Sequence, residues 1–141
     1  VSAARIALHS FALELVTMAS VAAGFAVYRT TGLSEQVAIQ TLVAGIVCTA
    51  LFALWGWASH RASSGRLALR SLREIGWTYG AAFVWTPIVL IPVHYLMRGY
   101  LTSFSNVLVA WVFQVPFNLL ALMVANGRLL LDEGDRSRGP A

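Results

Sequence analysis

An all-α integral membrane bundle, with four transmembrane helices arranged as two helical hairpins in tandem and both termini cytoplasmic, is the fold class this sequence predicts. Three observations carry it. Of 141 residues, 58% are apolar and only 11% are charged, against about 25% charged in an ordinary soluble domain. Four apolar runs, near 6–28, 37–58, 75–96 and 105–125, each approach the roughly 20 residues that cross a hydrocarbon core. The basic residues, ten arginines with no lysine, lie almost entirely between the runs. The runs lack the period-two alternation of barrel strands, so backbone groups held in lipid must pair within helices.

The first run follows Arg5. Although a basic residue before an apolar stretch also marks signal peptides, Glu14 inside the run and the run's full spanning length favour a retained helix. A short link with Gly32 leads to the second run, so 5–61 is expected to form an antiparallel hairpin. The central link, 59–74, carries Arg61, Arg66, Arg70 and Arg73. A second short link with Gly99 joins the last two runs into a hairpin over 70–128, which completes a four-helix domain of 1–131. Residues 132–141 lack apolar periodicity and read as a disordered tail.

Eight arginines, at 5, 61, 66, 70, 73, 128, 136 and 138, fall on one side of this topology, and two, Arg29 and Arg98, on the other. The positive-inside rule makes the first side cytoplasmic. The net charge of +4 then faces anionic lipid rather than nucleic acid. Sliding the chain on itself by about 65 to 67 residues superposes Arg5 on Arg70, Gly32 on Gly99 and Arg61 on Arg128. Both hairpins start on the same side, so a repeat axis along the membrane normal is expected.

Function is sought in polar residues at depth. Glu14 is the only acid within the four runs, about eight residues or roughly 12 Å past the boundary by helix rise. Steps of three and four from it give Ser10, Thr17, Val21, Gly24 and Tyr28, a stripe expected to face protein or a cavity. A carboxyl held there can carry a proton and compete with a cationic substrate; its bland role is interhelical glue. His9 lies five residues earlier and about 140° away, so it does not share Glu14's face. It reads either as a proton relay or as a boundary histidine bonded to backbone. Gln114 and Asn118 share a face of the fourth run and suit either an interhelical hydrogen bond or a substrate-lining strip. Trp85 and Trp111 lie deep, as π faces for a lipophilic cation or as packing, while Trp55, Trp57, Trp77 and Tyr100 sit near span ends as anchors. Pro87, Pro92 and Pro116 free the carbonyls of Phe83, Ile88 and Val112. Gly76 and Gly80, and likewise Thr41, Gly45 and Thr49, make small faces for close packing. Lone Cys48 excludes a disulfide framework or a Cys-x-x-Cys site. No metal cluster, cofactor site or nucleophile–base pair stands out, so no enzyme is expected.

The stretch Arg5-Ile-Ala-Leu-His9-Ser-Phe-Ala-Leu-Glu14 resembles the motif opening each half of the proteobacterial antimicrobial compound efflux (PACE) transporters, the chlorhexidine exporters built from two bacterial transmembrane pairs. Ile75-Gly76-Trp77-Thr78, followed by Gly80 and Pro87, looks like that family's second-half run. Arg73 and Thr78 stand where its second His and Glu belong, so only Glu14, with His9 beside it, carries over. Gly32-Leu33-Ser34-Glu35-Gln36, Leu42-Val43-Ala44, Trp55-Gly56 and Arg61 are similar to the first link and second helix of the L-alanine exporter family. These resemblances imply a bacterial inner-membrane exporter of a small or lipophilic solute, cationic ones among them, coupled to the proton gradient through Glu14. An amino-acid exporter and a non-transporting membrane subunit or scaffold are the alternatives. Four helices enclose little volume, so a homodimer is expected.

Overall fold

A computed structural model describes residues 1–31 and 36–139, the side chains of 28–31 and 36–37 excepted. Among them there are five helices and no strand: α1 (Ala3–Thr31), α2 (Gln36–Ala62), α3 (Leu72–Arg98), α4 (Phe104–Ala125) and α5 (Gly127–Ser137). Four of these, α1 to α4, are long and apolar enough to cross a membrane, so the chain is a multi-pass membrane protein by length and composition. Residues 32–35 of the expected first link, and with them most of the Gly32 to Gln36 resemblance, lie outside the described residues.

Local chemistry sets the helix ends. Ser71 caps α3 by accepting from the Glu74 amide at 3.2 Å, and Ser103 caps α4 by accepting from that of Asn106 at 3.4 Å. Gly99 ends α3 at φ 78°, a left-handed conformation that a side chain resists, and its N–H closes on the Tyr95 carbonyl at 2.8 Å. The central link is shorter than the sequence predicts. Helices take both of its margins, leaving residues 63–71, and Glu74 becomes part of the first turn of α3.

Around the bundle the order is α1, α2, α4, α3. Contacts descend α2 as they climb α1: His9 meets Trp55, Thr17 meets Cys48, and Gly24 meets Gln40. Between α1 and α3 they run in the same sense, Arg5 on Glu74 and Glu14 on Thr86. Ser2 bonds Glu74 and Gly56 abuts Ala125, so the start of α1, the end of α2, the start of α3 and the end of α4 share one end. Arg5, Arg61, Arg66, Arg70, Arg73 and Arg128 gather there.

Two expectations are corrected. A twofold axis along the bundle would map each helix onto its diagonal partner, but α1 lies diagonal to the oppositely directed α4, with α3 beside it. The repeat axis along the membrane normal is therefore ruled out. The tail is also more regular than its composition predicts: α5 runs through residues 132–137 of it, although that stretch buries no residue.

The apolar core is built where α2 and α4 meet, from Ala44, Cys48, Phe52, Phe117, Ala121 and Leu122, with Leu13 of α1. Small residues permit it. A Cβ on Gly24 would stand 2.6 Å from the Gln40 carbonyl oxygen, and one on Gly45 would stand 3.1 Å from the Phe117 ring. Gly76 and Gly80, expected at a packing face, have no neighbour in the chain within 4 Å of a built Cβ.

Candidate functional site

Glu14 sits at the middle of α1 with no exposed surface. Its Oε2 is reached from two other helices. The Gln114 amide of α4 donates to it at 2.8 Å, and the Thr86 hydroxyl of α3 lies 3.2 Å away. The Thr86 hydroxyl is also 3.0 Å from Gln114 Oε1. Glu14, Thr86 and Gln114 thus form a ring of three contacts. Thr86 also lies 3.2 Å from the Ala82 carbonyl of its own helix, so its one hydrogen has three acceptors in reach, and with the one from the Gln114 Nε2 edge there are two donors for the three contacts of the ring. A proton on Glu14 fills all three when the Thr86 hydrogen turns to Gln114 rather than to Ala82: Glu14 donates to Thr86, Thr86 to Gln114 Oε1, and Gln114 Nε2 back to Glu14. Turning the amide over leaves the same count. Glu14 Oε1 is buried with no hydrogen-bond partner, and no ion pair of Glu14 occurs among the described residues.

One turn on, the Thr17 hydroxyl lies 2.9 Å from Asn118 Oδ1 and 2.8 Å from the Leu13 carbonyl, with Cys48 Sγ at 3.7 Å. Asn118 is fully buried, and its Nδ2 has no partner. Toward the other end, Ser10 is fully buried and accepts from the Trp85 indole at 2.9 Å. Trp85 presents its ring edge-on to Phe11 at 5.1 Å. The expected stripe of α1 is therefore real at Ser10, Glu14, Thr17 and Gly24 and broken at Val21, which is 40% exposed; the side chain of Tyr28 lies outside the described residues.

His9 does not join Glu14. The Trp55 indole N–H, which can only donate, points at His9 Nδ1 at 3.0 Å, and His9 Nε2 lies 2.6 Å from the Leu67 carbonyl, which can only accept. Those partners place the single ring proton on Nε2. His9 thereby ties α1 to both α2 and the 63–71 segment. Trp55, expected as an interfacial anchor, turns inward to do this, whereas Trp57, Trp77 and Tyr100 are exposed as anchors should be.

Sequence reasoning missed Glu74. It lies 2% exposed in the first turn of α3, with Arg5 Nη2 at 2.6 Å and the backbone amides of Arg70 and Ser2 donating at 2.8 and 3.1 Å. Its signal was an acid three residues after Ser71, the spacing of a helix start. Trp111 was placed at depth without a partner. Its indole donates at 2.8 Å to the Phe83 carbonyl, the group that Pro87 leaves without a helical donor. No cluster of three or more metal-ligating side chains occurs among the described residues. An open apolar groove between α1 and α2, floored by Val16, Ala19, Leu51 and Trp55, does not include Glu14.

Comparison of the chain with protein-family models, curated proteins and solved structures returns no match.

Proposed function

We propose that the protein is a proton-coupled inner-membrane exporter of a small or lipophilic solute, in which Glu14 alternately carries a proton and releases it in exchange for cargo. The observation that carries this reading is the closed ring of Glu14, Thr86 and Gln114: a fully buried carboxyl with no counter-ion, held by side chains of two other helices. Such an acid is costly in a membrane interior and marks ion pathways in pumps and transporters. A carboxyl serving only as glue needs no third helix and leaves no oxygen unbonded, yet Glu14 Oε1 is orphaned and Asn118 Nδ2 is orphaned in the neighbouring turn. Those two groups, one acceptor and one donor, and the Trp85 face are the contacts left for a solute that enters when the bundle opens.

The PACE-like order Arg5, His9, Glu14 supports the outward direction and the bacterial inner membrane. The arginine-rich end is cytoplasmic in this reading, the two helix pairs are hairpins, and a second copy completes the pathway.

The test is solute-dependent proton flux in proteoliposomes with wild type and Glu14→Gln. Glutamine keeps the hydrogen bonding and cannot titrate. Loss of flux with normal insertion is expected; flux equal to wild type leaves the scaffold reading in its place.

A further inference from the structure

The buried face of α3 consists of four residues at steps of four: Glu74, Thr78, Ala82 and Thr86. None is large and apolar, and none is more than 2% exposed. Ser2 and, from α1, Arg5 and Glu14 bond to this face, and Ser10 of α1 bonds to Trp85 next to it. The α1–α3 seam is thus a file of polar or small groups about 18 Å long by helix rise, running from the arginine-rich end to Glu14. It stops there, since α3 buries nothing beyond Thr86 among its described residues. Small and hydroxylated residues also serve close helix packing; what sets this seam apart is a buried acid at each end, Glu74 and Glu14, and buried ionisable groups mark proton and ion pathways.

At the arginine-rich end the file is shut. Glu74 gathers the Arg5 guanidinium, the Ser2 amide and the Arg70 amide, which belong to the start of α1 and to the 63–71 segment. The same segment is held by His9 through the Leu67 carbonyl and wedges Leu69, 8% exposed, into the core. Ser64 at φ 51° and Gly65 at φ 80° reverse the chain so that it lies back across the bundle.

We infer that the α1–α3 seam is the path by which protons pass from Glu14 to solvent at the arginine-rich end, and that the Arg5–Glu74 pair with the 63–71 strap is its gate. The inference rests on the proton-coupled reading of Glu14. Ala82 is the one residue of the file with no polar side-chain atom and packs with Leu13 in the apolar core; it is the narrow point that water must pass when the strap lifts, and a larger side chain there plugs it. Thr78 and Ser10 offer oxygen to water that enters when the strap lifts.

The test uses the full chain in proteoliposomes with Cys48, the one native thiol, changed by Cys48→Ser. Ala82→Cys and Thr78→Cys report access to a small charged methanethiosulfonate reagent supplied at the arginine-rich end. Slow labelling is expected with the gate intact, and labelling faster by about tenfold or more with Glu74→Gln or with Arg5→Gln, since tenfold is about 1.4 kcal/mol of gate closure. Ala82→Leu should lower proton flux about tenfold while the protein still inserts. Labelling rates unchanged by both gate substitutions, or full flux through Ala82→Leu, overturn the inference. Two gate variants guard against one failing to fold. Faster labelling together with wild-type flux from Glu14→Gln would leave a gated solvent path and remove only the proton reading of Glu14.

Discussion

At the scale of single residues, the Thr86 hydroxyl is the hinge of the buried ring, and its loss separates chemistry from bulk. Thr86→Val keeps the shape and leaves Gln114 Oε1 and Glu14 Oε2 each short of a contact. Leaving such groups unpaired costs about 1–3 kcal/mol, so a measurable fall in stability in detergent and a fall in proton flux are expected together. Thr86→Ser, which restores the hydroxyl, should recover both. The second residue-scale case is His9. With Trp55→Phe the indole N–H is gone and Nδ1 no longer has a donor facing it. Nitrogen NMR of labelled His9 should then show loss of the pure Nε2–H tautomer. An unchanged spectrum would mean that Leu67 alone fixes the ring.

Helices three and four show how a sequence feature becomes a contact at the scale of elements. Pro87 removes the donor that would have met the Phe83 carbonyl, and α4 answers with the Trp111 indole at 2.8 Å. Interhelical hydrogen bonds in membranes average about 0.6 kcal/mol and reach about 1.7. Trp111→Phe should therefore cost close to 1 kcal/mol in reversible unfolding from mixed micelles, and more of that cost should vanish in a Pro87→Ala background, where residue 87 again donates to Phe83. A double-mutant cycle reads the coupling directly. Additive effects would show that the indole contributes packing alone. The freed Phe83 carbonyl was readable from the proline; the tryptophan that meets it was not, because i, i+4 spacing says nothing about which residue of another helix arrives.

The same divide holds for the whole molecule. The four spans and the single buried acid of α1 follow from composition and run length, since lipid leaves a chain few alternatives; α5 does not. Which helices touch does not. Hydropathy treats all four spans alike, so the beside-each-other placement of α1 and α3, and hence the pairing of Glu14 with Thr86 and of Arg5 with Glu74, appears only in three dimensions. Glu74 was hidden for a further reason: at the margin of a basic loop an acid looks solvated, and only the folding-back of residues 63–71 buries it. The outcome is a bundle with two unlike seams. Between α2 and α4 lie Cys48, Phe52, Phe117 and Leu122, a surface suited to van der Waals cohesion; between α1 and α3 lies the polar file. Stability and coupling should accordingly separate. Phe52, 1% exposed, has no polar partner to lose, and emptying its site removes contacts worth about 3 kcal/mol in a packed core. Phe52→Ala is expected to lower the unfolding free energy more than any change in the polar file, yet to leave proton flux per folded molecule within about twofold of wild type, a shift under 0.5 kcal/mol in barrier. Unfolding in mixed micelles and flux normalised to inserted protein measure the two quantities on one preparation. A Phe52→Ala protein that is well folded but uncoupled would place the α2–α4 seam inside the transport machinery and end the division of labour argued from the packing.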